Sequence, residues 1–320
     1  SIQNNQALKW LNVKKNLRGI LSLSLLALLF GCEKPRLSDL YQHKPRLVVI
    51  SNFTTLDGIQ VQVSKSRSPL DNGGTEYITN AKVEIWEGEQ LLERLNLNDT
   101  REEKIPFYTS EVIKPRIGVD YTVKVSAPGF ETVTATSRIP ESVNLDSVLV
   151  EKLKATPDDP GFVRYDFDLA IYFTDPLIER NFYHVNVFQK SITPLKDGVD
   201  FLEQTKKLVF GSEVNSNYIV ANYDGGLLIE DKLIDGRAIR IPIPISMRMP
   251  AHLQNFDELI VELRSVSEEY YLFHSTVSRQ QDNDDLPFSD PVVLFNNIRN
   301  GQGVFAGYSQ AKQAVVIKPK

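Results

Sequence analysis

From Leu47 onward the chain alternates apolar and polar residues with a period of two, the pattern of a strand with one buried face, and this constrains its fold more than any other feature. The clearest runs are Leu47 to Phe53, Ile59 to Val63, Ala81 to Trp86, Tyr121 to Val125 and Thr132 to Ile139. In the fourth of these, Tyr121, Val123 and Val125 share one face, and Thr122 and Lys124 share the other. Turn signals separate the runs at Asp57-Gly58, Asp71-Asn72-Gly73-Gly74, Glu87-Gly88 and Pro128-Gly129. A second series follows: Ser147 to Leu153, Tyr165 to Phe173, Phe182 to Gln189, Asn217 to Ala221, Ala238 to Ile245, Glu258 to Val266, Val292 to Ile298 and Ala314 to Ile317. One segment has a helical period, Glu268 to Gln281, with Tyr271, Phe273, His274 and Val277 on its expected buried face and Ser267 as its N-cap. The reading is a mainly β fold of two sandwich-like domains, over 46–140 and 147–320, with a linker over 141–146 and one helix near 268–281 in the second domain.

The N-terminus carries an address. Lys14, Lys15 and Arg18 precede an uncharged run from Gly19 to Phe30, followed at once by Gly31 and Cys32. As a helix that run would reach about 18 Å at ~1.5 Å per residue, short of a hydrocarbon core of ~30 Å, so it reads as an export signal over 1–31 rather than a permanent span. Leu29, Phe30, Gly31 and Cys32 resemble the lipobox of bacterial lipoproteins, in which the cysteine is acylated and becomes the first mature residue. Cys32 is the only cysteine of the 320 residues, so an internal disulfide and a thiolate metal cluster are both ruled out. A thiol behind an apolar leader is presented at the membrane surface, where its nucleophilicity serves thioether formation. Several acyl chains, palmitate among them, would then hold the protein to outer-membrane lipid through Cys32, with 32–45 as a tether. Glu33 and Lys34 supply only a fragment of a surface-export signal, so the membrane face is left open.

The charges exclude one class of partner. The net charge is −5, and the segment before Cys32 holds Lys9, Lys14, Lys15 and Arg18 without an acid, so the mature part is more acidic still. Its Lys and Arg residues are dispersed among acids rather than gathered in a stripe, and no nucleic-acid partner is expected.

Motifs for chemistry are sparse. The histidines at 43, 184, 252 and 274 have no local zinc spacing, and His184, between Tyr183 and Val185, is expected at the surface or half-buried. Ser309 to Lys312 fits S-x-x-K and Tyr308 to Lys312 fits Y-x-x-x-K, but both need a helix, and this segment lies between expected strands. Asp282, Asp284 and Asp285 are the one calcium-like candidate, in a cluster read as a solvated loop that lacks the glycine and distant glutamate of an EF-hand. Asp166 and Asp168 share a strand face and are expected to point outward. Asn300, Gly301, Gly303 and Gly307 suit a tight turn and a close approach of strand backbones. No catalytic residue and no cofactor is assigned.

Three blocks carry a resemblance. Phe173-Thr174-Asp175-Pro176 with Asn181-Phe182-Tyr183 form the first, and Val261-Glu262-Leu263-Arg264-Ser265-Val266-Ser267 with Tyr270-Tyr271 the second. The third joins Pro287-Phe288-Ser289-Asp290-Pro291-Val292 to Asn297-Ile298-Arg299-Asn300-Gly301 and Gly303-Val304-Phe305-Ala306-Gly307-Tyr308. Together they resemble domain of unknown function family 4249, over nearly the whole mature chain. The stretches Ala81 to Gly88 and Tyr121 to Pro140 resemble, besides, the small immunoglobulin- or transthyretin-like sandwich. The family resemblance implies a Bacteroidetes outer-membrane lipoprotein encoded beside a TonB-dependent receptor. The expected function is therefore that of a non-enzymatic accessory or ligand-binding partner of such a transporter. A structural or assembly lipoprotein of the envelope is the alternative, followed by a hydrolase with a dispersed site.

Overall fold

In the computed structural model the described residues are 44–68, 71, 73–98, 105–177, 180–194, 201–209, 219–250, 258–284 and 292–317. The first sandwich is built from β1 (Leu47–Phe53), β2 (Gln60–Lys65), β3 (Lys82–Glu87), β4 (Gln90–Arg94), β5 (Asn96–Asn98), β6 (Phe107–Thr109), β7 (Asp120–Ser126) and β8 (Val133–Arg138). The second half holds β9 (Leu145–Pro157), β10 (Phe162–Thr174), β11 (Phe182–Pro194), β12 (Phe201–Leu208), β13 (Ile219–Tyr223), β14 (Gly226–Glu230), β15 (Ala238–Pro250) and β16 (Glu258–Val266). The helix α1 (Glu268–Asp284) and the final strand β17 (Gln302–Val316) complete it. The fold is thus mainly β with one long helix, as the alternation predicts.

Among the described residues the strands form three sheets. The largest runs β13-β14-β11-β16-β17-β1-β2-β6-β5, with β12 alongside β11. A four-stranded sheet, β4-β3-β7-β8, faces its β1-β2 end, and a three-stranded sheet, β15-β10-β9, faces its β11-β16 end. Two large apolar cores result, and a smaller third cluster of Phe182, Leu228, Val266, Tyr271, Val304 and Ala306 lies beneath α1. Leu47, Val49 and Phe53 meet Val83, Tyr121, Val123 and Val133 in the first, while Phe167, Leu169 and Ile171 meet Val185, Val261 and Leu263 in the second. Within the segment 141–146, Val143 is buried in the second core and Leu145 and Asp146 already belong to β9. Ile298 and Phe305, from the far end of the chain, complete the first core, and Phe305 stacks on Phe53 at 4.6 Å between ring centroids. Pro45–Lys320 form one compact unit.

The 15-residue strand β17 makes this possible. Its first part, Gln302 to Gly307, pairs in parallel with β1, and its second part, Tyr308 to Val316, pairs antiparallel with β16. The parallel pairing depends on the glycines singled out above. A Cβ at Gly303, whose φ is +112°, would sit 2.0 Å from the Val49 carbonyl oxygen, so only glycine fits there. Gly301 and Gly307 meet the backbones of Leu47 and Arg138, and Asn300 takes a positive φ in the turn.

The edge strand β15 is protected by its own sequence. Pro242, Pro244 and Pro250 fall at alternate positions opposite Ala170, Asp168 and Phe162 of β10. They therefore face the free edge, where each removes the N–H that an added strand would need.

Three sequence expectations need correction. Val292 to Ile298 is not a strand: Val293 is 87% exposed, and the amide of Asn297 takes the place of a strand partner, accepting from Phe305 N at 3.0 Å and donating to Phe305 O at 2.8 Å. The buried residues of α1 are Tyr270, Tyr271, His274, Ser275, Thr276 and Ser278, whereas Phe273 and Val277 are only half-buried. Ser275 and Thr276 can be buried because their hydroxyls donate to the Leu272 carbonyl, at 3.1 and 3.0 Å. His184 is 1% exposed, because α1 covers the sheet face that alternation would leave to solvent.

Candidate functional site

Cys32 and the lipobox residues Leu29, Phe30 and Gly31 lie outside the described residues. So does Asp285 of the calcium candidate; Asp282 is exposed in the last turn of α1, and Asp284 ends that helix. Among the described residues no three of His, Cys, Asp and Glu come together in a way that could hold a metal ion. Ser309 and Lys312 sit on β17, where a spacing of three puts them on opposite faces of the sheet. Asp166 and Asp168 point outward from β10, as expected.

The described residues do assemble a polar layer that the sequence reading missed. On one face of the large sheet, β11 presents His184 and Asn186, β16 presents Glu262 and Arg264, and β17 presents Tyr308 and Lys312. Alternation places them together, since the intervening Tyr183, Val185, Val261 and Leu263 turn into the second core. Over this face lies α1, started by Ser267, whose hydroxyl accepts from Tyr270 N at 3.4 Å. The helix delivers Tyr270 and His274 into the layer.

The contacts form one network. His184 Nδ1 lies 2.9 Å from the Tyr270 hydroxyl, which also accepts from Arg264 at 3.2 Å. Arg264 donates to Glu262 at 2.6 Å, and its guanidinium stands 4.6 Å over the Tyr308 ring. Lys312 reaches the second Glu262 oxygen at 3.0 Å, so a buried carboxylate is held between two cations. His274 packs its ring at 4.2 Å from Tyr270 and 4.3 Å from Tyr223, and its Nε2 is 3.4 Å from Asn52 on β1. Gly226 closes the floor: a Cβ there would meet Asn186 Oδ1 at 2.4 Å and His184 Nε2 at 2.5 Å.

Burial and the nearby Arg264 charge set the protonation states. They hold His184 well below the usual imidazole range and lower His274 to about 3, so both rings are neutral near pH 7. Burial raises the Tyr270 and Tyr308 phenols, which stay protonated. The chemistry available is that of fixed donors and acceptors which seat α1 on the sheet at one position. The signal for it was present in the second block: Glu262 and Arg264, two charges in an apolar strand, alternate with core residues.

The first block builds a smaller cluster at the end of β10. The buried Asp175 accepts from the Tyr183 hydroxyl and from Gly236 N at 3.1 Å, and Asp231 accepts from Asn181 N at 2.5 Å. Burial pushes both carboxyls above the usual range, and the hydrogen bonds oppose it. Asp175-Pro176 does end a strand, as read, and it also pins the turn before β15.

The described residues of these blocks thus take part in packing and hydrogen bonding that join β10, β11, β16, α1 and β17. No curated protein matches the chain. Residues 33–314 match the family model described as "Domain of unknown function (DUF4249)", and because that match spans most of the sequence, the chain belongs to this family.

Proposed function

We propose that this protein is an outer-membrane lipoprotein, anchored through acylated Cys32, that serves as a non-enzymatic accessory or ligand-binding partner of a TonB-dependent transporter. The observation that carries the proposal is a single thiol placed directly behind a short apolar leader and ahead of a β-rich body. The architecture supports it. From Leu47 onward the described chain forms a body of two sandwich-like layers that share one sheet, a compact part for an anchored protein to present. Loops at the ends of such layers are surfaces on which binding is commonly built. No helix of the described residues is long and apolar enough to cross a membrane. The polar layer beneath α1 acts as a fixed joint, which favours a scaffold over a reaction centre.

The test is made in intact cells and in mild detergent. A fatty-acid probe is expected to label the wild-type chain, Cys32→Ser is expected to release it from membranes, and affinity purification is expected to bring a receptor barrel with it. An unlabelled chain, or a Cys32→Ser variant still bound to membranes, overturns the anchor. Purification without a barrel overturns the partnership.

A further inference from the structure

The outer face of the three-stranded sheet carries a hollow of about 390 Å³ lined by Lys152, Lys154, Asp166, Asp168, Pro244 and Ser246. Its origin lies in the strand register. Lys154, Asp166 and Ser246 form one row across the sheet, and Glu151, Asp168 and Pro244 form the next. Residues directly opposed on neighbouring strands share a face. At these rows β15 contributes only a hydroxymethyl group and a proline ring, whereas Arg240 and Arg248 stand further along it on either side. Short side chains between long ones leave the depression.

The charges around the hollow divide into paired and open. On one flank Arg240 donates to Glu151 at 2.5 Å and to the Tyr172 hydroxyl at 3.0 Å, and Tyr172 donates to Glu151 at 2.9 Å. On the other, Arg248 pairs with Asp158 at 3.0 Å and with Asp159 at 2.6 Å. Within the hollow, a bulge in β9 puts Lys152 at a φ of +55° and swings its ammonium to 2.7 Å from Asp168. Lys154 and Asp166 remain. They oppose one another across the strands, yet Asp166 has only a 3.7 Å contact with Arg164, and no ion pair of Lys154 occurs among the described residues. One open cation and one loosely held anion, with Cβ atoms roughly 5 Å apart, stand beside a hydroxyl in a space large enough for a small molecule.

We propose that this hollow binds the α-ammonium and α-carboxylate of a free amino acid. The carboxylate is taken by Lys154, and the ammonium by Asp166 together with the Ser246 hydroxyl, which lies on the side of Asp166 away from Lys154. A ligand with one charge of each sign, a few ångströms apart, satisfies both open groups at once; a purely anionic or cationic ligand leaves one of them opposed by a like charge. The proposal deepens the ligand-binding reading above and rests on it for its biological use alone.

Saturation-transfer NMR on the full-length chain in mild detergent, with L-alanine as the probe, tests it. The expected result is saturable binding of L-alanine, at least tenfold weaker for N-acetyl-L-alanine and for L-alaninamide. Lys154→Gln and Asp166→Asn are each expected to weaken it at least tenfold, and Lys124→Gln, on the first sandwich, to leave it unchanged. Circular dichroism of each variant verifies that the fold is kept. Absence of saturable binding, equal binding of the capped forms, or tighter binding of phosphoethanolamine than of alanine overturns the proposal. Alanine binding by a chain that purifies without a receptor barrel keeps the site and removes only the partnership. A barrel partner with no alanine binding does the reverse.

Discussion

The core of the first sandwich and the layer beneath α1 are both buried, but they are held in different ways. The first is mainly apolar, with Ser51 and Ser137 the small polar residues on the inward faces of β1 and β8, and its two tyrosines send their hydroxyls out to backbone: Tyr108 donates to Ile78 O at 2.9 Å, and Tyr121 accepts from Arg116 N at 3.0 Å. The second contains two neutral histidines, a phenol and a carboxylate between two cations. Removing apolar area from water is non-directional and tolerates small shifts, so the first core supplies stability with little demand on geometry. A buried polar group costs free energy unless its partner is in place, so the second layer stabilises one seating of α1 and penalises others. The comparison separates what holds the chain together from what fixes the position of its helix.

The largest expected effect tests whether the first core depends on the last strand. Gly303→Val drives a side chain into the Val49 carbonyl and should separate β1 from β17, costing about 4 kcal/mol or more. Urea denaturation followed by fluorescence reads this well, since Trp86 lies in the first sandwich and the other tryptophan, Trp10, precedes Cys32. An unchanged midpoint would mean that the sandwich over 46–140 stands without the C-terminal strand.

A second prediction sharpens the contrast by pH. His274, lowered to about 3, and His184, held below the ordinary ~6.5, bind fewer protons folded than unfolded, for His274 between about 3 and ~6.5. The stability they permit is complete above pH ~6.5 and falls as the pH drops through this window, on the order of 2 kcal/mol for His274 by pH ~5. Asp175 and Asp231 act the other way, because their raised carboxyls add stability below the ordinary carboxylate value that is lost as pH rises through the folded value. The acid loss should appear first in the near-ultraviolet dichroism of the tyrosines around α1, and His274→Phe should reduce its slope. A loss of the same size and midpoint in Trp86 fluorescence would erase the distinction between the two regions.

The smallest effect probes the start of the helix, where Ser267 Oγ also accepts from Ser137 Oγ of β8 at 3.3 Å. Ser267→Ala removes the hydroxyl that caps Tyr270 N and should cost about 1 kcal/mol, seen as faster amide exchange in the first turn of α1 without change in β7. Equal acceleration in β7 would show that the helix and the first sandwich open as one unit.

Strands whose two faces differ in polarity were the most legible elements: β1 and β16 begin and end where alternation puts them. Strands buried on both faces were not, because they carry no period. Gly226 to Ile229 of β14 are all buried, and that strand gave no signal. The polar layer was half legible. Glu262 and Arg264 stood out among apolar neighbours, but the partners that neutralise and orient them, Lys312 and Tyr270, come from elements whose register no local pattern states.

By itself the sequence determined the class of fold, the start of α1 at its cap and the glycines where backbones close up, since each follows from local sterics, period or solvation. Only tertiary structure decided which faces are buried. α1 crosses a sheet face that its own strands would leave wet and turns His184 inward, and β17, by pairing with β1 and with β16, makes one continuous sheet out of two halves that alternation reads as separate. The reason is physical: burial is a property of what lies across from a residue, and in a sheet that neighbour can come from anywhere in the chain.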